Sequence, residues 1–328
     1  MMQDLYKVKR LTKNEALIFK GVYSDFAAKA ISEYRFELPP LSFDEFIESV
    51  NNNLIQCLVL YENEFPTAFL VYTTAISESV ELNLIHCLGN EDLMAKRKLL
   101  VNEFLNETKE IRRKSVVCYP MMGSQGDFSG ALAYLGFKFV GLAVLRFLFD
   151  DEQSNLIFER NELPYINSSL RIVPWDNVYM KDAVKVIHNN FKDTTDALFD
   201  TRFKSYAGTE DIIDKIVNSI YGEFLADSTS VLLYLEKPIG FVFTNVTGGG
   251  IANIPLVAIN KDFRGRGYSK HLLKRSVNVI KNWIKTGHRD FSEINVTTET
   301  DNYSALKLYR RTGFKEDYSY TQAYLPAR

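Results

Sequence analysis

Along the first 150 residues the apolar positions switch between a helical and a strand-like period. Residues 13–34 carry helix-forming residues and run into the stop at Pro39-Pro40. Ser42, with Glu45 three positions later, predicts a capped helix start. Two apolar runs, 56–61 and 68–72, flank Glu62-Asn63-Glu64 and predict a hairpin. Strands follow over 80–87 and 115–119, and a helix over 94–111 turns Leu99, Leu100, Phe104 and Leu105 inward. A short helix at 131–136 and a long strand at 137–149 close this stretch. Residues 150–169 are polar and broken, and read as a linker or crossing segment.

The same order then recurs. Helices are predicted over 175–191 and 211–221, a hairpin over 231–244 around Glu236-Lys237, and a loop at Gly248-Gly249-Gly250. Residues 253–260 read as one interior strand through Ile254, Leu256, Val257 and Ile259. From Ser269 a stripe of Leu272, Leu273, Val277, Ile280, Trp283 and Ile284 predicts a long amphipathic helix, with Gly287 as its stop. A strand over 292–298 precedes a short helix ending at Gly313-Phe314-Lys315. Leu60-Tyr61, Pro66 and Phe69 parallel Leu233-Tyr234, Pro238 and Phe241, and Gly136-Phe137-Lys138 parallels Gly313-Phe314-Lys315. This is a long internal repeat: two α/β domains, 1–150 and 170–328, joined by 151–169.

Composition adds exclusions. The 328 residues are 46% hydrophobic and 24% charged, an ordinary globular mix, with a formal net charge of −2. That balance makes no electrostatic case for nucleic-acid binding. No signal-peptide core opens the chain, and the most apolar run, 139–149, contains Arg146 and is too short to span a bilayer, so a cytoplasmic protein without a membrane partner is expected. Cys57, Cys87 and Cys118 form no C-x-x-C pair and read as buried thiols. The four histidines lack metal-ligand spacing; no metal is expected, and His271 is expected at the surface.

The candidate chemistry lies in the turn before the long helix. Eight Lys or Arg and one Asp fall between Lys261 and Lys285, a local concentration of positive charge. Gly265 and Gly267 remove side-chain obstruction where a helix begins, and a helix mouth offers unpaired N–H groups to an anion. Arg264 and Arg266 can fork onto phosphate oxygens. No G-x-x-x-x-G-K-S/T run exists, which excludes a P-loop.

Arg264-x-x-Gly267-x-Ser269 resembles the Gln/Arg-x-x-Gly-x-Gly/Ala signature of the GNAT-type N-acetyltransferases. Asn302-x-x-Ala305-x-x-Leu308-Tyr309-x-x-x-Gly313-Phe314 resembles the N-x-x-A-x-x-L-Y-x-x-x-G-F element of the same family, in the same order along the chain. The resemblance implies two tandem GNAT-like α/β (α+β) domains, each with a mixed, mostly antiparallel sheet flanked by helices. It implies acetyl-CoA as co-substrate, with Arg264, Gly265, Arg266, Gly267, Tyr268, Ser269 and Lys270 at the diphosphate. Val257, Ala258 and Ile259 would pair with the pantetheine arm, with Asn302 bonding nearby or merely capping its helix. Tyr309 would be the general acid that protonates the departing thiolate. The acceptor would be an amine of a small molecule, peptide or protein. Ser269 and Lys261 depart from the usual Gly/Ala and Pro, and Thr297 stands where some members carry a Glu base; Glu299 is a nearby candidate, left unassigned.

The halves differ in chemistry. Where the second has the basic turn, the first has Cys87-Leu88-Gly89-Asn90-Glu91-Asp92, and counting back from the shared glycine Tyr309 becomes Leu132 and Asn302 becomes Gln125. The first half is therefore expected to keep the fold without the cofactor site. Asp193, Asp196 and Asp200 either attract a cationic amine or form a solvated loop. The alternative to an enzyme is a non-catalytic acyl-CoA sensor or adaptor.

Overall fold

The structure, a computed structural model, describes residues 5–36, 38–74, 79–113, 115–123, 125–160 and 169–327. It divides into two compact units: Met1–Val140 with Tyr320–Arg328, and Gly141–Ser319.

In chain order the elements begin with β1 (Tyr6–Arg10), α1 (Ala16–Lys29), α2 (Phe43–Asn51), β2 (Gln56–Glu62), β3 (Phe65–Thr73) and β4 (Val80–Cys87). They continue with α3 (Leu93–Glu107), β5 (Val117–Met121), α4 (Ser129–Tyr134) and β6 (Lys138–Leu148). Within the first unit β1, β2, β3 and β4 are antiparallel neighbours, while β4 meets β5 in parallel. Along β2 the alternate residues Leu58 and Leu60 enter one core, and Cys57, Val59 and Tyr61 enter another. Both faces of the sheet are covered, so this strand reads as a continuous apolar run. The capping box at Ser42 forms as expected. Cys57 and Cys87 are buried, whereas Cys118 is half-buried.

The remaining elements are α5 (Glu152–Arg160), β7 (Leu170–Pro174), α6 (Met180–Phe191), α7 (Asp196–Phe199), α8 (Tyr206–Val217), β8 (Glu223–Phe224), β9 (Ser230–Tyr234) and β10 (Lys237–Val242). Then follow β11 (Asn245–Gly248), β12 (Ile251–Asn253), β13 (Val257–Ile259), α9 (Tyr268–Lys285), β14 (Glu293–Glu299), α10 (Tyr303–Arg311) and β15 (Lys315–Leu325). In the second unit β13, β10, β9 and β7 pair antiparallel in that order, and β12 runs parallel to β14.

The repeat is visible in backbone detail. Both hairpins turn on two consecutive residues of positive φ, Asn63-Glu64 and Leu235-Glu236, the backbone that matches the twist of paired strands. Phe137 N–H donates to Leu132 O at 3.0 Å, and Phe314 N–H donates to Tyr309 O at 3.1 Å. The same bond thus closes α4 and α10, and it sets Leu132 and Tyr309 in one register.

Three sequence expectations change. The units do not divide near residue 150. β6 starts in the first unit and supplies Leu142–Leu148 to β14 of the second. β15 starts in the second and returns Thr321–Leu325 to β5 of the first. The expected linker 151–169 contains α5, started by Asp151, whose carboxylate accepts from Ser154 N–H at 2.6 Å, and anchored by buried Phe158; residues 161–168 lie outside the described residues. The single strand over 253–260 is two, β12 and β13, each in its own sheet. Pro255 separates them because it has no N–H to continue a ladder.

Candidate active site

The break at Pro255 makes the site. β12 stays with β14 as far as Ile254 N–H, which donates to Asn295 O at 3.0 Å. β13 then leaves to pair with β10 and forms the end of its sheet. Phe243 N–H donates to Leu256 O at 2.9 Å, and Asn260 N–H donates to Ile239 O at 2.7 Å. Hydrogen-bonded and non-bonded pairs alternate in an antiparallel ladder, so Ala258 faces β10 while the backbones of Val257 and Ile259 turn outward. The carbonyl of Ile259 accepts from Arg264 Nε at 3.2 Å.

The turn leading into α9 is built on two left-handed glycines, Gly265 at φ 76° and Gly267 at φ 78°, a backbone that a Cβ disfavours. Among the described residues, the amides of Gly265, Arg266, Gly267, Tyr268 and Ser269 donate no hydrogen bond. They open the mouth of an 18-residue helix, where N–H groups and the helix dipole both favour an anion. No atom stands within 4 Å of where a β-carbon on Gly265 would sit, so this face of the turn is open. The turn therefore fits a diphosphate. Arg264 and Arg266 are exposed, but neither points freely outward. Arg264 donates to Asn190 Oδ1 on α6, and the Arg266 guanidinium lies 5.5 Å from the Phe263 ring. Lys270 lies in the first turn of α9, half-exposed.

Tyr309 is 5% exposed. Burial, and then the Asp196 charge, push its phenol well above its ordinary pKa. The raised pKa keeps the phenol protonated, and its hydroxyl makes no hydrogen bond among the described residues, so the O–H is available as a donor. Asn302 caps α10: its Oδ1 accepts from Ala305 N–H at 3.2 Å.

Two acidic groups read apart in the sequence come within range of each other's charge. Burial raises the pKa of Asp196. Burial also raises Glu299, the Thr195 hydroxyl opposes that, and the neighbouring carboxylates Asp196 and Asp301 add to it. Asp200, by contrast, is held by Arg202, with contacts of 2.9 Å to Nε and 2.5 Å to Nη2, and serves the fold. Over a hundred residues separate Asp196 from Glu299, and no local pattern signals their approach. His271 is buried rather than at the surface. It shares a helical face with Lys274, whose ammonium lies 4.7 Å from the Phe158 ring of α5. The helix unforeseen at 152–160 thus packs its Phe158 against Lys274.

The equivalent turn in the first unit is acidic. The residue before α3 is Asp92, at φ 53°, where α9 has Gly267, and its carboxylate accepts from the Tyr6 hydroxyl at 3.0 Å. Gln125 bonds Tyr119, and Leu132 is buried where the second unit has Tyr309. No group of metal-ligating side chains occurs among the described residues, and no described helix is long and apolar enough to cross a membrane.

Residues 225–316 match the family model of the acetyltransferase (GNAT) domain. That stretch of the second unit is similar to a GNAT acetyltransferase domain. An uncharacterized N-acetyltransferase of Methanocaldococcus jannaschii is 28% identical over 151 residues, 42% of this chain and 64% of that protein. The chain thus covers just under two thirds of that relative's length. A GCN5-related N-acetyltransferase from Sphaerobacter thermophilus superposes with a TM-score of 0.64 at 13% identity, over 98% of this chain and 96% of that one. A tandem GNAT protein from the clavulanic acid biosynthesis pathway gives 0.57 at 12% identity, over 98% and 99%. At such identities the likeness is one of fold, and it extends the GNAT architecture over both units as a tandem.

Proposed function

We propose that the second unit moves an acetyl group from acetyl-CoA to a primary amine of a small molecule, peptide or protein. The observation that carries this reading is the row of five amides without partners at the mouth of α9, which suits a diphosphate. The outward backbone of Val257 and Ile259 would bond the pantetheine arm as a further strand would.

In the proposed step the amine nitrogen attacks the thioester carbon, and the C–N bond forms as the C–S bond breaks. The Tyr309 hydroxyl gives its proton to the departing sulfur. Glu299, with its pKa raised by burial and by the Asp196 charge, takes the one proton released by nitrogen; a carboxylate with a raised pKa is the stronger base. Proton exchange with solvent then restores both groups. Tyr309→Phe is expected to keep acetyl-CoA affinity and lower turnover by about tenfold or more. Thiol release from acetyl-CoA across an amine panel, with calorimetry alongside, tests the proposal. Unchanged turnover in the variant rejects the role of Tyr309. A second reading, a non-catalytic acyl-CoA sensor or adaptor, is favoured by the depth at which Tyr309 lies. Binding without thiol release on any amine would select it.

A further inference from the structure

In the first unit, among the described residues, β4 and β5 pair only where Val80 and Glu81 meet Val117 and Cys118. β4 stays beside β3 as far as Cys87, so β4 and β5 part beyond Glu81. Polar side chains gather at this parting: Tyr34, Cys87, Arg97 and Tyr119 lie within range of each other's charge. Arg97 and the neighbouring His86 stand where the second unit is apolar. Counting from Asp92 and Gly267, Arg97 falls level with Leu272 of the core. His86 pairs with Phe69 as Ala258 pairs with Phe241. The fold itself therefore requires neither an arginine nor a histidine here.

Arg97 is 8% exposed, yet its counter-charge is not buried with it. Nη1 donates to Asp127 Oδ1 at 3.1 Å, and the Asp127 side chain is 60% exposed. The Cys87 thiol is a second neighbour, the Phe128 ring lies 5.9 Å away, and Nε is buried without a partner. A guanidinium has five N–H donors in a fixed fork that matches a carboxylate, and burying its charge is costly unless an anion accompanies it. An acceptor stands nearby. His86 Nε2 lies 3.0 Å from Asp25 Oδ2, and Nδ1 lies 2.9 Å from the Tyr34 hydroxyl. The Asp25 carboxylate, which also accepts from Lys29 at 2.9 Å, can only accept. The imidazole proton is therefore on Nε2, and Tyr34 donates to Nδ1. That leaves lone pairs on the Tyr34 oxygen for an incoming donor, whereas the Tyr119 hydroxyl is already committed to Gln125.

We propose that the parting of β4 and β5 is a second binding site, for a small carboxylate with a hydrogen-bond donor beside its carboxyl group, a hydroxy acid or an amino acid. The Arg97 fork takes the carboxylate and releases Asp127. The Tyr34 oxygen, fixed by His86 and Asp25, accepts from the hydroxyl or ammonium. This site is independent of the acetyl-CoA reading.

The test follows the Arg97 Nε–H signal by nuclear magnetic resonance in the full chain, titrated with glycolate, glycine and acetate against sodium chloride of equal ionic strength. Glycolate or glycine is expected to shift the signal saturably, and acetate to bind about tenfold more weakly. Which of the two binds tells a hydroxy acid from an amino acid. Tyr34→Phe is expected to bring the tighter ligand down to the acetate level. Asp127→Asn, a surface change, is expected to tighten binding about tenfold by removing the competing carboxylate. Arg97→Lys is expected to abolish the stabilisation against heat that the same ligand gives the wild type. A signal that glycolate and glycine leave in place, or move no more than chloride does, overturns the inference. So does binding unchanged by Asp127→Asn, or acetate that binds as tightly as both.

Discussion

Single residues carry two kinds of constraint here. Gly313 has φ 91°, and a β-carbon on it would stand 2.5 Å from Ser154 O and 2.8 Å from the Phe147 ring. Gly313→Ala is expected to destabilise the protein by about 2–4 kcal/mol, read from the denaturant midpoint. Gly265 shares the left-handed backbone but faces open space. Gly265→Ala is expected to cost only about 1 kcal/mol and to weaken coenzyme A binding about tenfold if a diphosphate lies on that face. The two glycines look alike in the sequence, and only their surroundings tell them apart. A third residue gives a pH signature. His86 is 1% exposed, with Nδ1 2.9 Å from the Tyr34 hydroxyl and Nε2 3.0 Å from Asp25 Oδ2. Burial lowers its pKa from 6.5 to about 4, with Asp25 opposing and Lys29 assisting. The unfolded chain therefore binds more protons between these values, and stability falls as pH drops from about 6.5 toward about 4, by roughly 3 kcal/mol at most. Urea midpoints across that window should fall less steeply in His86→Gln than in the wild type. Equal slopes would show that His86 does not titrate in this way.

At the scale of elements, the mouth of α9 does the binding in the proposed reading, and its charge sets the expected response. Replacing Arg264 and Arg266 by Glu is expected to lower coenzyme A affinity by about a hundredfold at low ionic strength, and by less as salt rises. Affinity that stays at the wild-type value would remove this helix mouth from the site. The basic turn, both hairpins, the capped α2 and the Asn302-to-Phe314 stretch were legible in the sequence, because each rests on hydrogen bonds and φ preferences within a few residues. The break between β12 and β13 was not read, although Pro255 signals it. A dense apolar run masks one missing N–H, and the divergence exists only because each half joins its own sheet. α5 was missed for the opposite reason. Its sequence is polar, and its stability comes from one buried ring, Phe158, under the ammonium groups of Lys274 and Lys281.

At the scale of the molecule, the exchanged strands govern how the chain can be cut. Thr321–Leu325 pair with Val117–Met121, and Ala323 and Leu325 lie in a core of the first unit. Deleting residues 320–328 is expected to weaken hydrogen-exchange protection first over 117–121, ahead of loss in β9 and β10. Protection there that matches the full chain would show that the first unit holds without its borrowed strand. For the same reason, fragments cut near residue 150 are expected to fold poorly, since each lacks a strand that the other supplies.

The amino-acid sequence alone determined the duplicated order of elements, the glycine-rich basic turn and the phenol of Tyr309, seven residues after Asn302, all of them short-range patterns of period, charge and turn chemistry. Tertiary structure decided what is brought together across long separations: Glu299 within reach of the Asp196 charge, Arg264 with Asn190, Lys274 with Phe158 of α5, and the last strand in the first unit's sheet. Such contacts depend on where packed sheets and helices bring distant segments, and no local spacing encodes them.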